Sequence, residues 1–177
     1  MQFYLVPHPD HPPSDPLFKL WVNLDHASSF GVSATINIFF CVGAPATRFV
    51  LPPPAEPERA DDLWLTTCFE AFLRPDGERG YTEWNFAPSG EWGTYDFRAH
   101  REGMAEADAA SPPYIRLEDN LTWWAVGATI SVPVQRYQLG LSAVIEEQDG
   151  TKSYWALAHG PGAPDFHHDD CFAATLA

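Results

Sequence analysis

Residues 66–98 read TTCFEAFLRPDGERGYTEWNFAPSGEWGTYDFR, and this stretch decides the fold class. Three runs within it alternate apolar with polar residues, as half-buried β-strands do: Thr66–Arg74, Tyr81–Ala87 and Trp92–Arg98. Between the runs lie clusters of Pro, Asp, Ser and Gly, which favour tight turns. The stretch therefore predicts three consecutive antiparallel strands joined by hairpins.

The same alternation continues on both sides of this stretch. Further predicted strands are Leu17–Leu24, Val32–Cys41, Tyr114–Glu118, Thr122–Ser131, Leu139–Glu147 and Lys152–Leu157, with weaker candidates at Gln2–Val6 and Arg48–Leu51. Asp149-Gly150 predicts a type I′ hairpin turn, which needs a positive φ at both residues. The best helix candidate, Arg101–Ala110, contains Gly103 and precedes two prolines, so we expect at most a short connector. About ten strands with such turns predict an all-β, antiparallel β-sandwich of jelly-roll type, with residues 1–177 in one domain.

The charge composition narrows the possible partners. The 177 residues include 10 basic and 24 acidic ones, which gives a formal net charge of −14. A nucleic-acid groove or an anionic membrane surface needs a cationic face, so we expect neither partner. The apolar run at the N-terminus, Phe3–Val6, is shorter than the ~7–15 residues of a signal peptide. This predicts a cytoplasmic location, or an extracytoplasmic one if a leader has been removed.

Cysteine and histidine are the residues that could bind a metal. Cys41, Cys68 and Cys171 lie beside Phe or Val without C-x-x-C spacing, so we expect buried free thiols. The segment 165–171 (DFHHDDC) holds several ligand types, but closed zinc sites normally use spaced ligand pairs. We therefore expect His167 and His168 to serve the structure of a loop. Within that segment Phe166 is expected to pack into the core and Asp165 to hold the turn.

One face of the three predicted strands suits a ligand. Because residues two apart share a face of a strand, apolar and polar side chains separate. The predicted core residues are Phe69, Ala71, Leu73, Trp84, Phe86, Tyr95, Phe97, Ile130, Leu141 and Ala143. The opposite face is predicted to carry Trp64, Glu70, Glu83, Asn85, Asp96 and Arg98. An indole beside carboxylate, amide and guanidinium groups suits a sugar, although an ordinary solvated sheet face with Glu–Arg pairs and no ligand is the alternative.

Short motifs also occur along the chain in a fixed order. They are Leu63–Leu73 (LWLTTCFEAFL), Tyr81–Gly90 (YTEWNFAPSG), Ala128–Pro133 (ATISVP) with Leu139–Leu141 (LGL) and Asp149-Gly150, and finally Tyr154–Leu157 (YWAL) with Asp165–His167 (DFH) and Cys171-Phe172. Together these motifs resemble those of family-9 carbohydrate-binding modules, and the chain is similar to stand-alone bacterial proteins of the DOMON-like superfamily.

The resemblance implies a β-sandwich that binds a sugar without catalysis, between two tryptophans with charged groups beneath. Trp64 and Glu70 match the first tryptophan and the acidic residue by their six-residue spacing. Trp155 matches the second tryptophan and Arg98 matches a basic partner. With Asn85 they form the predicted ligand-binding set. The family's structural calcium has no Asp-rich loop to match here, so no cofactor is predicted and no calcium site can be assigned.

Three other functions fit parts of the sequence. A jelly-roll glycosidase would use Glu70 and Glu83 as its carboxylate pair, about 5–5.5 Å apart for retention or about 6.5–9.5 Å for inversion. A haem-binding DOMON domain would use Met104 with His100 or His159 as axial ligands. A partner-binding sandwich would use the acidic, aromatic-rich face to hold another protein.

Overall fold

A computed structural model of the chain describes the backbone of residues 1–177 and the side chains of residues 1–25 and 31–177. The described chain forms twelve β-strands: β1 (Gln2–Pro7), β2 (Leu20–Phe30), β3 (Ser33–Val42), β4 (Cys68–Pro75), β5 (Tyr81–Phe86), β6 (Trp92–Phe97), β7 (Ala105–Glu106), β8 (Tyr114–Asp119), β9 (Trp124–Pro133), β10 (Tyr137–Glu146), β11 (Lys152–Ala156) and β12 (Ala174–Leu176). Single turns of 3-10 helix occur at Ala46–Arg48, Leu63–Leu65 and Asp169–Cys171. No helix in this described chain is long and apolar enough to cross a membrane.

The strands form two antiparallel sheets that share β1. The order β8-β9-β3-β2-β1 defines the back sheet. The order β1-β11-β10-β4-β5-β6-β7 defines the front sheet, in which β12 also pairs with β10. Residues 2–5 of β1 pair with β2, whereas Val6 and Pro7 pair with β11. The first strand therefore passes from one sheet to the other and closes one edge of the sandwich.

The main core lies between the two sheets. Along β3, half-exposed residues alternate with buried ones such as Ile38 and Phe40. The Phe40 ring lies 5.1 Å, centroid to centroid, from the Phe69 ring of the front sheet, and Trp124 lies 5.6 Å from the same ring. Full burial of one such side chain stabilises the fold by about 1.5–3 kcal/mol, so these contacts hold the sheets face to face.

The outer side of the front sheet, here called the front face, is covered by other parts of the chain. Its buried residues are Cys68, Glu70, Phe72, Tyr81, Glu83, Asn85, Tyr95, Phe97, Ser142, Val144 and Ala156. Three segments cover them: the helical turn Leu63–Leu65, the loop 99–104 and the C-terminal segment 157–173. Phe172 of that last segment packs against Phe72 and Tyr81 at centroid distances of 6.1 and 5.3 Å. The front face is thus a second apolar layer.

The predicted antiparallel β-sandwich is confirmed. All predicted strands except Arg48–Leu51 overlap an observed strand, and most agree to within two residues at each end; the predicted Leu17–Leu24 differs more, since β2 starts at Leu20 and continues to Phe30. Arg48 ends a helical turn, and Phe49 forms an isolated bridge with Glu147. The two short strands β7 and β12 were not predicted, because two or three residues carry no periodic pattern. Arg101–Ala110 forms no helix and contains β7.

The hairpin between β10 and β11 differs from the predicted type I′ turn. Gly150 has a φ of +90°, whereas the φ of Asp149 is not positive. The N–H of Gly150 donates to the carbonyl of Glu147 at 3.0 Å, and the N–H of Glu147 donates to the carbonyl of Thr151 at 2.8 Å. This is a three-residue hairpin loop with one left-handed glycine, and the Asp149 side chain supports it by accepting from the N–H of Thr151 at 2.8 Å.

The three cysteines are buried free thiols, as predicted. Burial raises the pKa of Cys41 and of Cys171 to about 11. It also raises the pKa of Cys68, which lies under the front face beside Glu70. Reactivity requires the thiolate, so these residues act as small apolar side chains.

Candidate ligand-binding site

A cavity of about 390 Å³ opens on the front face, within the size range of small-molecule sites. The front sheet forms its floor and the three covering segments form its walls. Its titratable lining residues are Glu70, Glu83, Arg101, Lys152, Tyr154 and His167, and its other aromatic lining residues are Trp64, Phe97 and Phe166. Leu65 and Met104, both at least half exposed, lie at its mouth.

Two glutamates lie on the floor of this cavity. Glu70 on β4 pairs with Asn85 of β5, and Glu83 on β5 pairs with Phe72 of β4. The glutamates are therefore diagonal neighbours, whose Cα atoms lie about 7–8 Å apart in such a ladder. Glu70 is 3 % exposed and its Oε2 accepts a hydrogen bond from the Ser142 hydroxyl at 3.1 Å. Glu83 is 5 % exposed and its Oε1 accepts from the amide of Asn85 at 2.7 Å.

The surroundings of the two carboxyl groups disfavour their ionised forms. Burial raises the pKa of Glu70 well above its ordinary value, and the neighbouring Glu83 raises it further. Burial also raises the pKa of Glu83, while the Asn85 amide and the charge of Arg101 lower it in part. Two adjacent carboxylates in a poorly solvated site repel each other, so the pair keeps a proton to higher pH than exposed glutamates do.

His167 lies between Glu83 and the wall of the cavity and hydrogen-bonds to Tyr81. Its Nδ1 lies 2.8 Å from the hydroxyl of Tyr81, which in turn accepts from the backbone N–H of Arg101 at 3.2 Å. The tyrosine hydroxyl can donate to Nδ1 or accept from it, depending on which ring nitrogen carries the hydrogen. Nε2 faces Oε2 of Glu83 at 3.6 Å, beyond hydrogen-bond length. Burial, assisted by the Arg101 charge, lowers the pKa of His167 to about 4, so the ring is neutral at pH 7.

Asp165 organises the mouth of the cavity. Its Oδ1 lies 2.9 Å from both Nε and Nη2 of Arg101, and its Oδ2 lies 2.7 Å from Nε2 of His100. Burial alone would raise the pKa of Asp165, but the hydrogen bonds from His100 and Arg101 lower it. Oδ1 also accepts from the backbone N–H of His167 at 3.2 Å. One carboxylate thus fixes both the guanidinium group of Arg101 and the backbone that carries His167.

Aromatic rings form the walls. Trp64 lies in the helical turn immediately before β4, and this turn starts at Asp62, whose φ is +59°. Its half-buried ring packs edge-on against Tyr95 at 5.9 Å and lines the cavity. Tyr154 on β11 also lines the cavity and lies 6.1 Å from the Phe166 ring.

Three of the predicted ligand-binding residues come together at this site. Trp64 and Glu70 line the cavity. Asn85 lies behind them, fully buried, and its amide positions Glu83. Phe166 is buried and Asp165 holds the turn, as expected, but His167 does more than support the loop because it also lines the cavity.

Trp155 lies on the other side of the front sheet. It pairs with Ala143, whose side chain faces the main core, and it is 3 % exposed. Its ring lies 5.0 Å from Phe18, centroid to centroid. The expectation that Trp155 faces Trp64 across a ligand is wrong, because alternation along β11 directs Tyr154 to the front face and its neighbour inward.

On β6 the predicted faces are reversed. Tyr95 pairs with Glu83, so Tyr95 and Phe97 lie on the front face while Asp96 points away and is exposed. Arg98, just beyond the strand, is exposed and does not line the cavity. The two aromatic residues are buried as predicted, but in the front-face layer. A pattern of hydrophobicity cannot separate a covered outer face from the core between the sheets.

Of the titratable lining residues, the sequence analysis missed four: Arg101, Lys152, Tyr154 and His167. The position of Tyr154 could have been predicted from the alternation, because adjacent residues of a strand point to opposite faces and Trp155 faces the core. Arg101 and His167 lie in irregular segments, where no period relates a residue to a face. Lys152 opens β11 and reaches the cavity from its mouth, with Nζ 2.6 Å from the carbonyl of Leu65.

The residues considered for haem or metal binding lie apart from this site or are engaged elsewhere. Met104 is at the cavity mouth, but neither His100 nor His159 lines the cavity. Nε2 of His100 contacts Asp165, and Nε2 of His159 lies 2.9 Å from the carbonyl of Val6. Among residues 1–25 and 31–177, no group of three or more His, Cys, Asp and Glu side chains is arranged to hold a metal ion.

Comparisons with known proteins show that the chain has a fold similar to that of a solved structure. No protein-family model matches the chain, and no curated protein matches it. Among solved structures, the chain is similar to a "putative carbohydrate-binding protein" from Bacteroides uniformis ATCC 8492, determined by crystallography at 2.70 Å resolution. The TM-score is 0.61 at 16 % sequence identity, over 99 % of this chain and 85 % of that chain. At this identity the likeness shows a shared all-β fold.

Proposed function

We propose that the protein binds a small sugar in the front-face cavity and is not itself a catalyst. The observation that carries the proposal is the half-buried Trp64 ring beside two buried carboxyl groups, Glu70 and Glu83, in a cavity of about 390 Å³. A pyranose has C–H faces that stack on an indole and hydroxyl groups that hydrogen-bond to carboxyl groups.

The remaining lining residues suit the same ligand. Arg101 and Lys152 offer cationic donors at the mouth, and the neutral His167 offers a ring nitrogen close to Glu83. Tyr154 and Phe97 add aromatic surface. Mostly apolar walls with a few convergent polar groups are typical of sites for small molecules.

The resemblance of the sequence motifs to family-9 carbohydrate-binding modules supports the proposal. So does the described function of the structurally similar protein from Bacteroides uniformis, whose name refers to carbohydrate binding. We extend the proposal to membership of the DOMON-like superfamily on the motif order alone. Trp64 and Glu70 are the two residues of the implied ligand-binding set that line the cavity.

Titration calorimetry against a panel of monosaccharides and disaccharides tests the proposal. We expect a saturable binding isotherm for at least one of them, together with a change in tryptophan fluorescence as the Trp64 ring moves from water to a sugar face. Flat titrations across the panel, with protein that melts cooperatively, would contradict it.

Three tryptophan variants locate the site. Trp64→Ala should weaken sugar binding by more than about tenfold, because it removes both the stacking interaction and the apolar contact area. Trp21→Ala, at a half-buried position on the outer side of the back sheet, is the matched control and should leave affinity unchanged. Trp155→Ala should instead lower the free energy of unfolding by about 3–5 kcal/mol, as large core truncations do. Equal affinities in wild type and Trp64→Ala would remove this site assignment.

Glycoside hydrolysis is the second candidate function, and the placement of Glu70 and Glu83 in one cavity favours it. Their diagonal register and raised pKa values suit a pair in which one carboxylic acid protonates the leaving oxygen. Chromogenic glycosides distinguish the two functions. Release of the chromophore by wild type, lost in both Glu70→Gln and Glu83→Gln, would establish hydrolysis, whereas binding without release supports the non-catalytic function.

A further inference from the structure

The two cations that line the cavity are paired with carboxylates that do not line it. Arg101 is bonded to Asp165, with both Nε and Nη2 2.9 Å from Oδ1. Lys152 lies 3.5 Å from Oε2 of Glu146 and donates to a backbone carbonyl. Each cation at the mouth therefore already has an acidic partner, and neither forms an ion pair with the glutamates of the floor.

The glutamates themselves have only neutral hydrogen-bond partners. Glu70 accepts from the hydroxyl of Ser142, and Glu83 accepts from the amide of Asn85. Among the side chains that the structure describes, none hydrogen-bonds to Oε1 of Glu70 or to Oε2 of Glu83. The latter oxygen lies 3.6 Å from the neutral His167. Both side chains are more than nine-tenths buried and line the cavity, so each offers it one unpaired oxygen.

We infer that the cavity prefers a sugar that carries a free ammonium group, that is, an amino sugar without an N-acetyl group. This inference rests on the proposed function and names the class of sugar. Its basis is the uncompensated pair of carboxyl groups on the floor beneath aromatic walls. An ammonium group gives three hydrogen-bond donors and one positive charge, which a neutral hydroxyl cannot match.

The aromatic walls favour the same ligand. Trp64, Tyr154, Phe97 and Phe166 line the cavity around the floor. A cation over or beside such rings is attracted by their quadrupoles, and the attraction is larger where water is excluded. The ammonium group would thus lie on the floor while the C–H face of the ring stacks on the wall.

Binding of the cation changes the protonation of the floor. Without a ligand, burial and the neighbouring Glu83 raise the pKa of Glu70 and oppose its ionisation. An ammonium group beside it favours the carboxylate, so the Glu70 proton passes to the buffer as the complex forms. No other covalent change is involved. The other charged or titratable groups around the floor are Arg101, Asp165, His100, Lys152, Glu146, Tyr81, Tyr154 and His167.

Calorimetry with matched sugars tests the inference at pH 6, where a sugar amine carries its proton. Glucosamine, galactosamine and mannosamine are each compared with the N-acetyl derivative and the neutral parent sugar. We expect one free amine to bind about tenfold to a hundredfold more tightly than its two counterparts, since charge-assisted hydrogen bonds replace neutral ones. If a parent sugar binds at least as tightly as its amine, the inference fails while the proposed function stands. If no sugar binds, both fail.

The wild-type protein provides a second readout. The binding enthalpy of the amine should differ between phosphate and MES buffers at pH 6, because binding favours the carboxylate form of Glu70 and releases protons to the buffer. The neutral parent sugar should show no such difference. Equal enthalpies for the amine in the two buffers would overturn the assigned ionisation of Glu70.

Two variants distinguish the effect of the floor glutamates on amine binding from the effect of the protein's overall charge. Glu70→Gln keeps the shape of the side chain and should bring the affinities of amine and parent to within about twofold of each other. Glu78→Gln, at an exposed position outside the cavity, removes the same charge and should keep the preference. Glu83→Gln repeats the test if Glu70→Gln does not fold. A preference for the amine that persists in both floor variants would overturn the inference.

Discussion

The two outer faces of the sandwich are formed by strands with the same alternation, but they differ in solvent exposure. On the back face, the outer side of the back sheet, the outward residues of β3 are mostly half-exposed, and Phe39 lies under the guanidinium group of Arg116 at 4.7 Å. On the front face, the outward residues of β4, Cys68, Glu70 and Phe72, are all buried. A strand pattern therefore fixes which residues share a face, but not whether that face meets water.

The difference lies in the segments that cover the front face. Phe166, Cys171 and Phe172 come from the C-terminal segment, and Arg74 lies 3.7 Å above the Phe172 ring. This cover turns an outer face into a second core that contains a cavity. The alternation around Glu70 and Glu83 is typical of a face in contact with water. The covering segments bury both side chains, and burial raises their pKa values.

The largest expected difference between the faces concerns one aromatic residue on each. Phe72→Ala should lower the free energy of unfolding by about 3–5 kcal/mol, because the ring is buried beneath the C-terminal segment. Phe39→Ala on the back face should cost about 1 kcal/mol, chiefly its contact with Arg116. Urea denaturation of both variants measures the difference. Similar losses would show that the front face is no more protected than the back face.

A second expected effect is the pH dependence contributed by His167. Its pKa is about 4 in the folded protein and near 6.5 in the unfolded chain, so the unfolded chain takes up a proton first as the pH falls. The contribution of His167 to the free energy of unfolding is complete above pH 6.5. About 3 kcal/mol of it is lost as the pH falls to about 4. His167→Gln should abolish that loss.

Denaturation of wild type and His167→Gln at pH 7 and pH 4 measures this contribution as a double difference. The raised pKa values of Glu70 and Glu83 act in the opposite direction, since they make the folded state bind protons first. Their contribution is present in both proteins and largely cancels. His11→Gln removes an exposed histidine that does not line the cavity, with its ring 5.2 Å from that of Tyr154, and provides the baseline. The same acid loss in wild type and His167→Gln would contradict the assignment.

The smallest expected effect is the difference in stability cost between Gly→Ala substitutions on the two faces. An added Cβ at Gly140 would lie 3.2 Å from Cβ of Phe72 and 3.4 Å from the carbonyl of Cys171, so Gly140→Ala should cost about 1–3 kcal/mol. At Gly127 the added Cβ would lie 2.8 Å from Cε1 of Phe39, a ring that can turn towards solvent. Gly127→Ala should therefore cost less than about 1 kcal/mol. A greater loss at Gly127 would show that the back face is the more rigid of the two.

The sequence by itself determined the strands, the sandwich and part of the site. Alternation in residues 66–98 placed Phe69, Glu70 and Glu83 on their correct faces, because the period of a strand is two and needs no knowledge of distant contacts. The spacing of Trp64 and Glu70 also identified two residues that line the cavity.

Only the tertiary structure decided what covers the front face. The face of Tyr95 was assigned incorrectly because hydrophobicity indicates burial, and both sides of the front sheet are buried. Trp155 was assigned to the ligand by the motif resemblance, which does not determine the side of the sheet on which a residue lies. Arg101 and His167 reach the cavity from irregular segments, where position depends on long-range contacts such as those of Asp165 rather than on a period. The cavity exists because segments far apart in sequence meet over one sheet face, and their meeting is a property of packing.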